Sequence, residues 1–474
     1  MTDIAQQSLF PARSAAALPR EPGEAGPDSL PLLPPQPKTV RETGLDQQLI
    51  AELVAKAIFI GGKTHLPILT TRLRLSINVL REILDFMVAE QLLEVAWRGE
   101  SDIDVQYQLT TLGKQRAAVY LERCPYAGPA PVTLDAYRAM AERQAWRGSP
   151  LQRVGAEEIG AVFGADWLEP AVLDVLGAAM HSGRSLLLYG PSGAGKSRMA
   201  RKLGRLLQGL VAVPYAVVVG QEIVQLYDPL LHLAPSALHA MHARQAMERR
   251  STDIRWALCQ RPVVQVGAEL GEDMLDLRHD AFSGCYQAPP HFKANNGLFI
   301  VDDLGRQRAP AAELLKRFMQ PLESGQDQLS LRGGHQFSVP FDVVLVFATN
   351  LAPRAVLDDA FLRRLGYKIH VGPLAAASYR ALVQHECRAQ RIACEDGALD
   401  HLLGLHRRAG QPLLAAYPRQ LLHRVGDFAG YAGQPASLTV ASLEQAWSSM
   451  FAGAEVAAAA AAPVAAAALC GQLP

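Results

Sequence analysis

The spacing of apolar and polar positions divides this chain into distinct stretches. Between 45 and 125 the spacing is mostly helical. "LDQQLIAELVAKAIFI" and "INVLREILDFMVAEQ" each repeat apolar residues every three or four positions, and Ser76 stands where an N-cap is wanted before the second. In that second run Ile77, Leu80, Leu84 and Met87 share one face. "LLEVAWR" and "VQYQLT" read as short strands on either side of "GESDID", and "LTTLGKQRAAVYLERC" reads as a closing helix. Three helices, a two-stranded wing and a closing helix predict a winged-helix-like domain over 45–125. From 150 to 373 the pattern changes to unbroken apolar runs such as "SLLLY", "LFIV" and "FDVVLVFAT", which predict buried strands. Residues 374–450 return to helical spacing, as in "AASYRALVQHECRAQ".

The connecting pieces lack such patterns. Residues 1–43 are rich in Pro, Ala, Gly and Glu, and 451–474 are mostly alanine, so both are expected to be disordered tails. "CPYAGPAPVTL" opens a Pro/Gly linker assigned to 126–149, with a helix-like stretch up to about 147.

Composition narrows the function classes. Lys+Arg and Asp+Glu both total 46, and a formal charge of zero excludes a strongly basic protein that coats nucleic acid. Within 45–125 nine Lys/Arg face ten Asp/Glu. A DNA-reading wing should be basic, so a protein partner is favoured there over DNA. The six cysteines are scattered without a CxxC pair, which suits a reducing compartment and predicts neither zinc nor a disulfide framework. No signal peptide or convincing membrane span is visible, and a cytoplasmic protein without membrane insertion is expected.

The strongest chemistry lies in "SLLLYGPSGAGKSRMARKLGRLL". Gly190, Gly195, Lys196 and Ser197 satisfy G-x-x-x-x-G-K-[ST] between a buried strand and a helix start. The whole loop, Gly190, Pro191, Ser192, Gly193, Ala194, Gly195, Lys196 and Ser197, is the predicted nucleotide cradle. Glycines let backbone N–H groups wrap phosphate oxygens at a helix N-terminus. Lys196 would reach the terminal phosphates, and Ser197 would hold Mg²⁺.

Two further strands end in polar residues. "LFIVDD" delivers Asp302, the metal-side candidate, and Asp303, which would face the attacking water. "FDVVLVFATN" ends in Asn350, placed to orient that water or touch the γ-phosphate.

This order, P-loop strand, acidic strand, Asn-ending strand, arginine pair and helical bundle, resembles the AAA+ ATPases over 150–450. The resemblance implies an α/β P-loop NTPase core, a parallel sheet flanked by helices, with a C-terminal helical lid. In its terms Gly190–Ser197 is similar to Walker A, "LFIVDD" to Walker B and Asn350 to sensor 1. "FLRRLGYKI" falls at the arginine finger, with Arg364 favoured and Arg363 supporting it or pairing within its own subunit. "YPRQLL" puts Arg419 at sensor 2. The expected cofactors are ATP and Mg²⁺. The expected assembly is a homo-oligomer, a hexameric ring with ATP between subunits, acting on a protein substrate. "LSLRGGHQFSVP" reads as a hairpin before the sensor 1 strand. That resembles the branch with MoxR-type ATPases, and the whole chain is similar to bacterial AAA+ ATPases described as having chaperone activity.

Two features depart from the family. Asp303 stands where glutamate is usual, one methylene shorter, so hydrolysis is expected to be slow, and Glu323 is a second candidate for the base. More chain separates Lys196 from Asp302 than a minimal core needs. "VPYAVVVGQEIVQLYDPLLH" and "RPVVQVGAELGEDML" are both read as inserted hairpin material. His239 and His242 sit one helical turn apart, but without a third ligand they are read as ordinary histidines. The competing functions are a DNA-associated ATPase in replication, transposition or transcription, and a nucleotide-gated scaffold with little turnover.

Overall fold

Four-residue runs such as Leu186–Tyr189 have no polar face to turn toward water, so they need cover on both sides. The computed structural model, which describes residues 33–101, 103–147, 154–235 and 251–451, supplies it. The His239/His242 pair and the alanine-rich tail beyond 451 lie outside the described residues.

At the N-terminal side, helices α1 (Val40–Thr43), α2 (Gln47–Gly61), α3 (Leu66–Leu73), α4 (Ile77–Ala89) and α5 (Thr111–Arg123) surround a small antiparallel sheet. Its strands are β1 (Thr64–His65), β2 (Leu93–Arg98) and β3 (Val105–Leu109), with β3 central. Ser76 caps α4, its Oγ accepting from the Val79 N–H. Val79, Leu80, Ile83, Leu84 and Met87 are fully buried.

The expected tail over 1–43 is corrected at its end. Pro35 bridges Thr252, Ser76 Oγ donates to the Pro37 carbonyl at 2.7 Å, and Leu33 is buried. Composition misled here because the partners lie far along the chain. The linker assigned to 126–149 is also corrected. It holds β4 (Val132–Thr133) and α6 (Leu134–Arg143), and Tyr137, Met140 and Trp146 are buried.

The core follows α7 (Ala156–Phe163) and α8 (Pro170–Ser182). Strand β5 (Leu186–Tyr189) runs into α9 (Lys196–Leu203) through the glycine loop. The inserted material then forms β6 (Leu210–Pro214), the hairpin β7 (Ala216–Val219)/β8 (Glu222–Gln225), and β9 (Trp256–Gln260). Strand β10 (Val263–Val266) follows, then β11 (Arg278–Asp280), β12 (Cys285–Gln287), α10 (Pro290–Lys293) and β13 (Gly297–Val301). After α11 (Ala311–Ser324) come the hairpin β14 (Gln326–Ser330)/β15 (Gln336–Pro340), β16 (Val343–Thr349), α12 (Pro353–Val356), α13 (Asp359–Arg364) and β17 (Tyr367–His370).

Five of these strands make one parallel sheet in the order β10-β13-β16-β5-β17. The chain leaves β5 for the far edge, steps back through β13 and β16, and crosses β5 to reach β17. That reversal beside β5 is a topological switch point, where open α/β sheets bind ligands at strand C-termini. "RPVVQV" is therefore an edge strand of the core and not insertion, a correction that matters below. The remaining insertion joins β4 in a second sheet, β11-β12-β8-β7-β4, while β6 and β9 pair with each other. Ala216, Ile223 and Cys285 from that sheet share a hydrophobic cluster with the N-terminal unit.

Helices α14 (Ala376–Gln390), α15 (Ala398–Arg408), α16 (Tyr417–Tyr431) and α17 (Val440–Met450) form a C-terminal unit with its own core around Tyr379, Leu402, Leu422 and Trp447. Two short strands, β18 (Ala393–Cys394) and β19 (Ser437–Leu438), pair within it.

Candidate functional site

The loop between β5 and α9 has a shape that side chains would prevent. At Gly190, with φ at +144°, a Cβ would stand 2.2 Å from the Val371 carbonyl oxygen. Gly195, the N-cap of α9, has φ +99°. Only glycine adopts such angles freely. The loop is held from the C-terminal unit too, because the Ala416 N–H donates to the Gly193 carbonyl at 3.0 Å.

Lys196 is 6% exposed. Its ammonium donates to the carbonyls of Gly190 (3.0 Å) and Pro191 (2.8 Å) and to Asn350 Oδ1 (2.7 Å). Burial lowers its pKa below the ordinary lysine value, against the opposing charges of Asp303 and Asp302. Asn350 Nδ2 donates onward to Asp303 Oδ1 at 3.0 Å. Lysine, asparagine and aspartate from three separate motifs thus join in one chain of contacts.

A second chain of contacts runs beside it. Ser197 Oγ donates to Asp302 Oδ1 at 2.8 Å, and Gln265 Nε2 donates to Asp302 Oδ2 at 3.0 Å. Asp303 holds φ at +50°, a conformation uncommon for aspartate. The Asp303 N–H donates back to Asp302 Oδ1 at 3.0 Å, so the two carboxylates face different directions. Ser197 and Asp302 supply adjacent hard oxygen donors, the kind Mg²⁺ takes, and the site fits that ion.

Lys196, Ser197, Asn350 and Asp303 line a cavity of about 430 Å³, and Asp302 meets Ser197 from outside that lining. The cavity floor is Ser192–Met199 with Asp303 and Asn350, and its roof includes Leu374, Leu382, Glu386, Arg419 and Gln420 from the C-terminal side. Arg419 therefore stands at the cavity, as its motif predicts.

The arginine pair, expected to reach a neighbouring subunit's nucleotide, lies away from this cavity. Neither Arg363 nor Arg364 lines this cavity. Arg364 is paired within its own chain, Nη2 to Glu323 Oε2 at 3.0 Å, with Nη1 on the Ala360 carbonyl at 3.1 Å. That is the supporting place expected of Arg363. Glu323, the second base candidate, is committed to that pair and is absent from the cavity lining. Arg363 is exposed and lines a separate cavity of about 390 Å³ with Arg354, Asp359 and Lys368.

The sequence reading missed Gln265, Asp166 and Glu386. Gln265 is the one polar residue within "VVQV" and becomes legible only once that run belongs to the core sheet. Asp166 lines the cavity while pairing with Lys202 at 2.5 Å and Arg198 at 3.4 Å. No motif marks Glu386.

Comparison with known proteins gives two matches within the chain. Residues 168–331 match an AAA ATPase domain, and 375–449 match a domain of unknown function, DUF8689. No curated protein matches the chain. Solved structures with partial likeness include NtrX from Brucella abortus in complex with ATP, at 13% identity and TM-score 0.37, covering 57% of this chain and 54% of that one. The RuvB Holliday junction branch migration motor from Thermotoga maritima is another, at 14% identity and TM-score 0.33, covering 62% and 68%. The chain spans about half the length of NtrX. Residues 168–331, which carry the glycine loop, Asp302 and Asp303, are similar to an AAA ATPase domain.

Proposed function

We propose that this chain is a ring-forming AAA+ ATPase that spends ATP to remodel or assemble a protein partner. The observation that carries the ATPase site is the paired contact chain, Lys196–Asn350–Asp303 beside Ser197–Asp302–Gln265. Lys196 and the loop N–H groups bind the phosphates. Ser197 and Asp302 would hold Mg²⁺, which when bound neutralises charge between the β- and γ-phosphates. Asp303, kept in place by Asn350, accepts a proton from the attacking water or orients it. Arg419 approaches from the C-terminal helices, which serve as a lid. An arginine from a neighbouring subunit completes the charge on the far side of the nucleotide. Arg363 suits that role, being exposed and unpaired among the described residues, whereas Arg364 is engaged with Glu323.

The N-terminal unit is read as a winged helix, with α4 as its third helix. The exposed positions of α4 are Asn78, Glu82, Asp85, Val88 and Ala89, with Arg81 half-exposed among them. Glu82 accepts from the Val40 N–H at 2.9 Å, so the chain's own N-terminal arm lies over that helix. With two exposed carboxylates against the half-exposed Arg81, that face attracts a phosphate backbone poorly. This supports a protein partner over DNA.

The test uses Asp303→Asn, which should bind ATP without turning it over. In a pull-down with ATP, it should retain a specific protein that Lys196→Ala does not. Recovery of the same proteins with both variants, or of DNA fragments lost steeply with salt, would sink the protein-remodelling reading.

A further inference from the structure

The C-terminal unit carries a second cavity, about 480 Å³, on a different face from the nucleotide. Its lining includes two thiols, Cys387 and Cys394, flanked by Arg380 and Arg388. Their meeting is dictated by how α14 ends. Arg391 takes a left-handed conformation with φ +56°, and the Ile392 N–H turns back to the Cys387 carbonyl at 2.9 Å. Strand β18 then holds Cys394 in register with Leu438. The two side chains are close enough to hydrogen-bond, with Cys387 as donor and Cys394 as acceptor.

The pair is asymmetric. Cys387 is 3% exposed, while Cys394 is open to solvent. Burial pushes the Cys387 thiol up to about 12. Burial also raises Cys394, against the hydrogen bond from Cys387, which favours its thiolate. Cys394 is thus the accessible attacking sulfur and Cys387 the inner, resolving one.

We propose that Cys387 and Cys394 form a redox-responsive dithiol that exchanges with low-molecular-weight disulfides and alters the adjoining ATP site. The Cys394 thiolate attacks one sulfur of a disulfide RSSR, forming a mixed disulfide and expelling RS⁻. Cys387, giving up its proton to solvent base, then attacks the Cys394 sulfur and expels the second RS⁻. The protein dithiol loses two electrons and two protons, and RSSR is reduced to two RSH. The cavity sets Arg380 and Arg388 against Glu395, Asp396 and Asp400, so a disulfide carrying both ammonium and carboxylate groups, such as oxidised glutathione, finds partners of both signs there. Because both thiols sit partly or wholly withdrawn from water, exchange should accelerate as pH rises.

The link to the ATP site is one helix. Leu382 and Glu386 on α14 line the nucleotide cavity, and Cys387 follows Glu386 directly. A covalent bridge across the turn at Arg391 fixes the end of α14 and so restricts how those two residues can adjust to nucleotide. The proposal rests on the lid reading of the C-terminal unit only for this coupling, not for the dithiol itself.

The experiment treats the full chain with oxidised glutathione at several pH values and maps cysteine-containing peptides by mass. The expected result is an intramolecular Cys387–Cys394 bridge, reversed by dithiothreitol. Cys387→Ser should instead trap glutathione on Cys394, since the resolving sulfur is gone, while Cys394→Ser should leave Cys387 unmodified. ATP affinity of the oxidised wild type should differ from the reduced form by at least ~5-fold, the lower range of measured couplings. Both variants should show no such difference. Peptides 387 and 394 left as free thiols, or modified singly with no bridge in wild type, overturn the dithiol. A bridge that forms with unchanged ATP affinity overturns the coupling and leaves the ATPase assignment intact.

Discussion

The arginine pair gives the sharpest test, because Arg364 is engaged within its own chain while Arg363 is exposed. In Arg364 three donor groups are already engaged, Nε and Nη2 with Glu323 and Nη1 with the Ala360 carbonyl. The Arg364–Glu323 side chains are 32% and 67% exposed, so breaking this pair should cost only ~0–1 kcal/mol. Arg364→Ala should therefore stay folded and hydrolyse ATP within ~5-fold of wild type, the factor ~1 kcal/mol would give even if all of it fell on the barrier. Arg363 shares its cavity with Arg354 and Lys368 against the single carboxylate of Asp359. That imbalance suits an incoming anion. A unit charge ~5 Å from a phosphoryl oxygen at an effective dielectric of ~20 is worth roughly 3 kcal/mol, or ~10²-fold in rate. Arg363→Ala should thus lose about two to three decades of turnover while binding a fluorescent ATP analogue normally. The assay is phosphate release at saturating ATP over a range of protein concentrations. Mixing Arg363→Ala with Lys196→Ala should restore part of the activity, since each supplies what the other lacks across an interface. Wild-type turnover in Arg363→Ala alongside loss in Arg364→Ala would refute the reasoning and return the finger to Arg364.

Other expectations follow from the same site and core. Lys196→Ala removes the only lysine in the cavity lining and should cut phosphate release by ~10²-fold or more with weaker ATP binding; an unchanged rate would remove the site from the mechanism. Gln265→Ala frees one oxygen of Asp302 and should raise the Mg²⁺ concentration needed for half-maximal turnover by ~10-fold, read from a Mg²⁺ titration. The buried His291 donates from Nε2 to Asp327 at 2.9 Å and leaves Nδ1 without a partner. Burial lowers the His291 pKa below its usual value, against the Asp327 carboxylate. Burial would raise Asp327, but the His291 and Arg317 contacts hold it below the usual carboxylate value. Both depressed groups stabilise the fold at high pH and lose that contribution as pH falls. Melting temperature should therefore begin to drop below ~pH 6.5 and continue toward ~pH 4, and His291→Gln should flatten the upper part of that decline.

Much of the site was legible in the sequence because its chemistry is local. A glycine loop needs glycines at fixed spacing, and "LFIVDD" and "FATN" end apolar strands at the residues that meet in space. What stayed hidden depends on partners distant in sequence. Gln265 could not be placed while β10 was read as insertion. The short apolar run "VVQV" fits either an inserted hairpin or a core edge, and only pairing with Leu298–Val301 decides. Arg363 and Arg364 are adjacent and chemically equal, and what distinguishes them is the contact of Arg364 with Glu323, 41 positions away. The arm at 33–43 looked like linker because its polar backbone finds partners at Ser76, Glu82 and 251–253. The Cys387–Cys394 meeting depends on one left-handed residue, Arg391, which carries no sequence mark of that geometry.

The central place of β5 also governs how the molecule comes into being. Its four residues pair with Val346–Thr349 on one side and Tyr367–His370 on the other. Gly190 rests against Val371, and Lys196 against Asn350. During synthesis the nascent chain emits the phosphate loop early, yet the contacts that hold it at Asp302, Asn350, Val371 and Ala416 are complete only once residue 416 has cleared the ribosome. Contacts of such long sequence separation close slowly, and the waiting apolar strand is exposed to misassociation. Heat-inactivated or denatured protein should accordingly recover ATP binding only in its last refolding phase, well after the N-terminal helices have regained their circular dichroism.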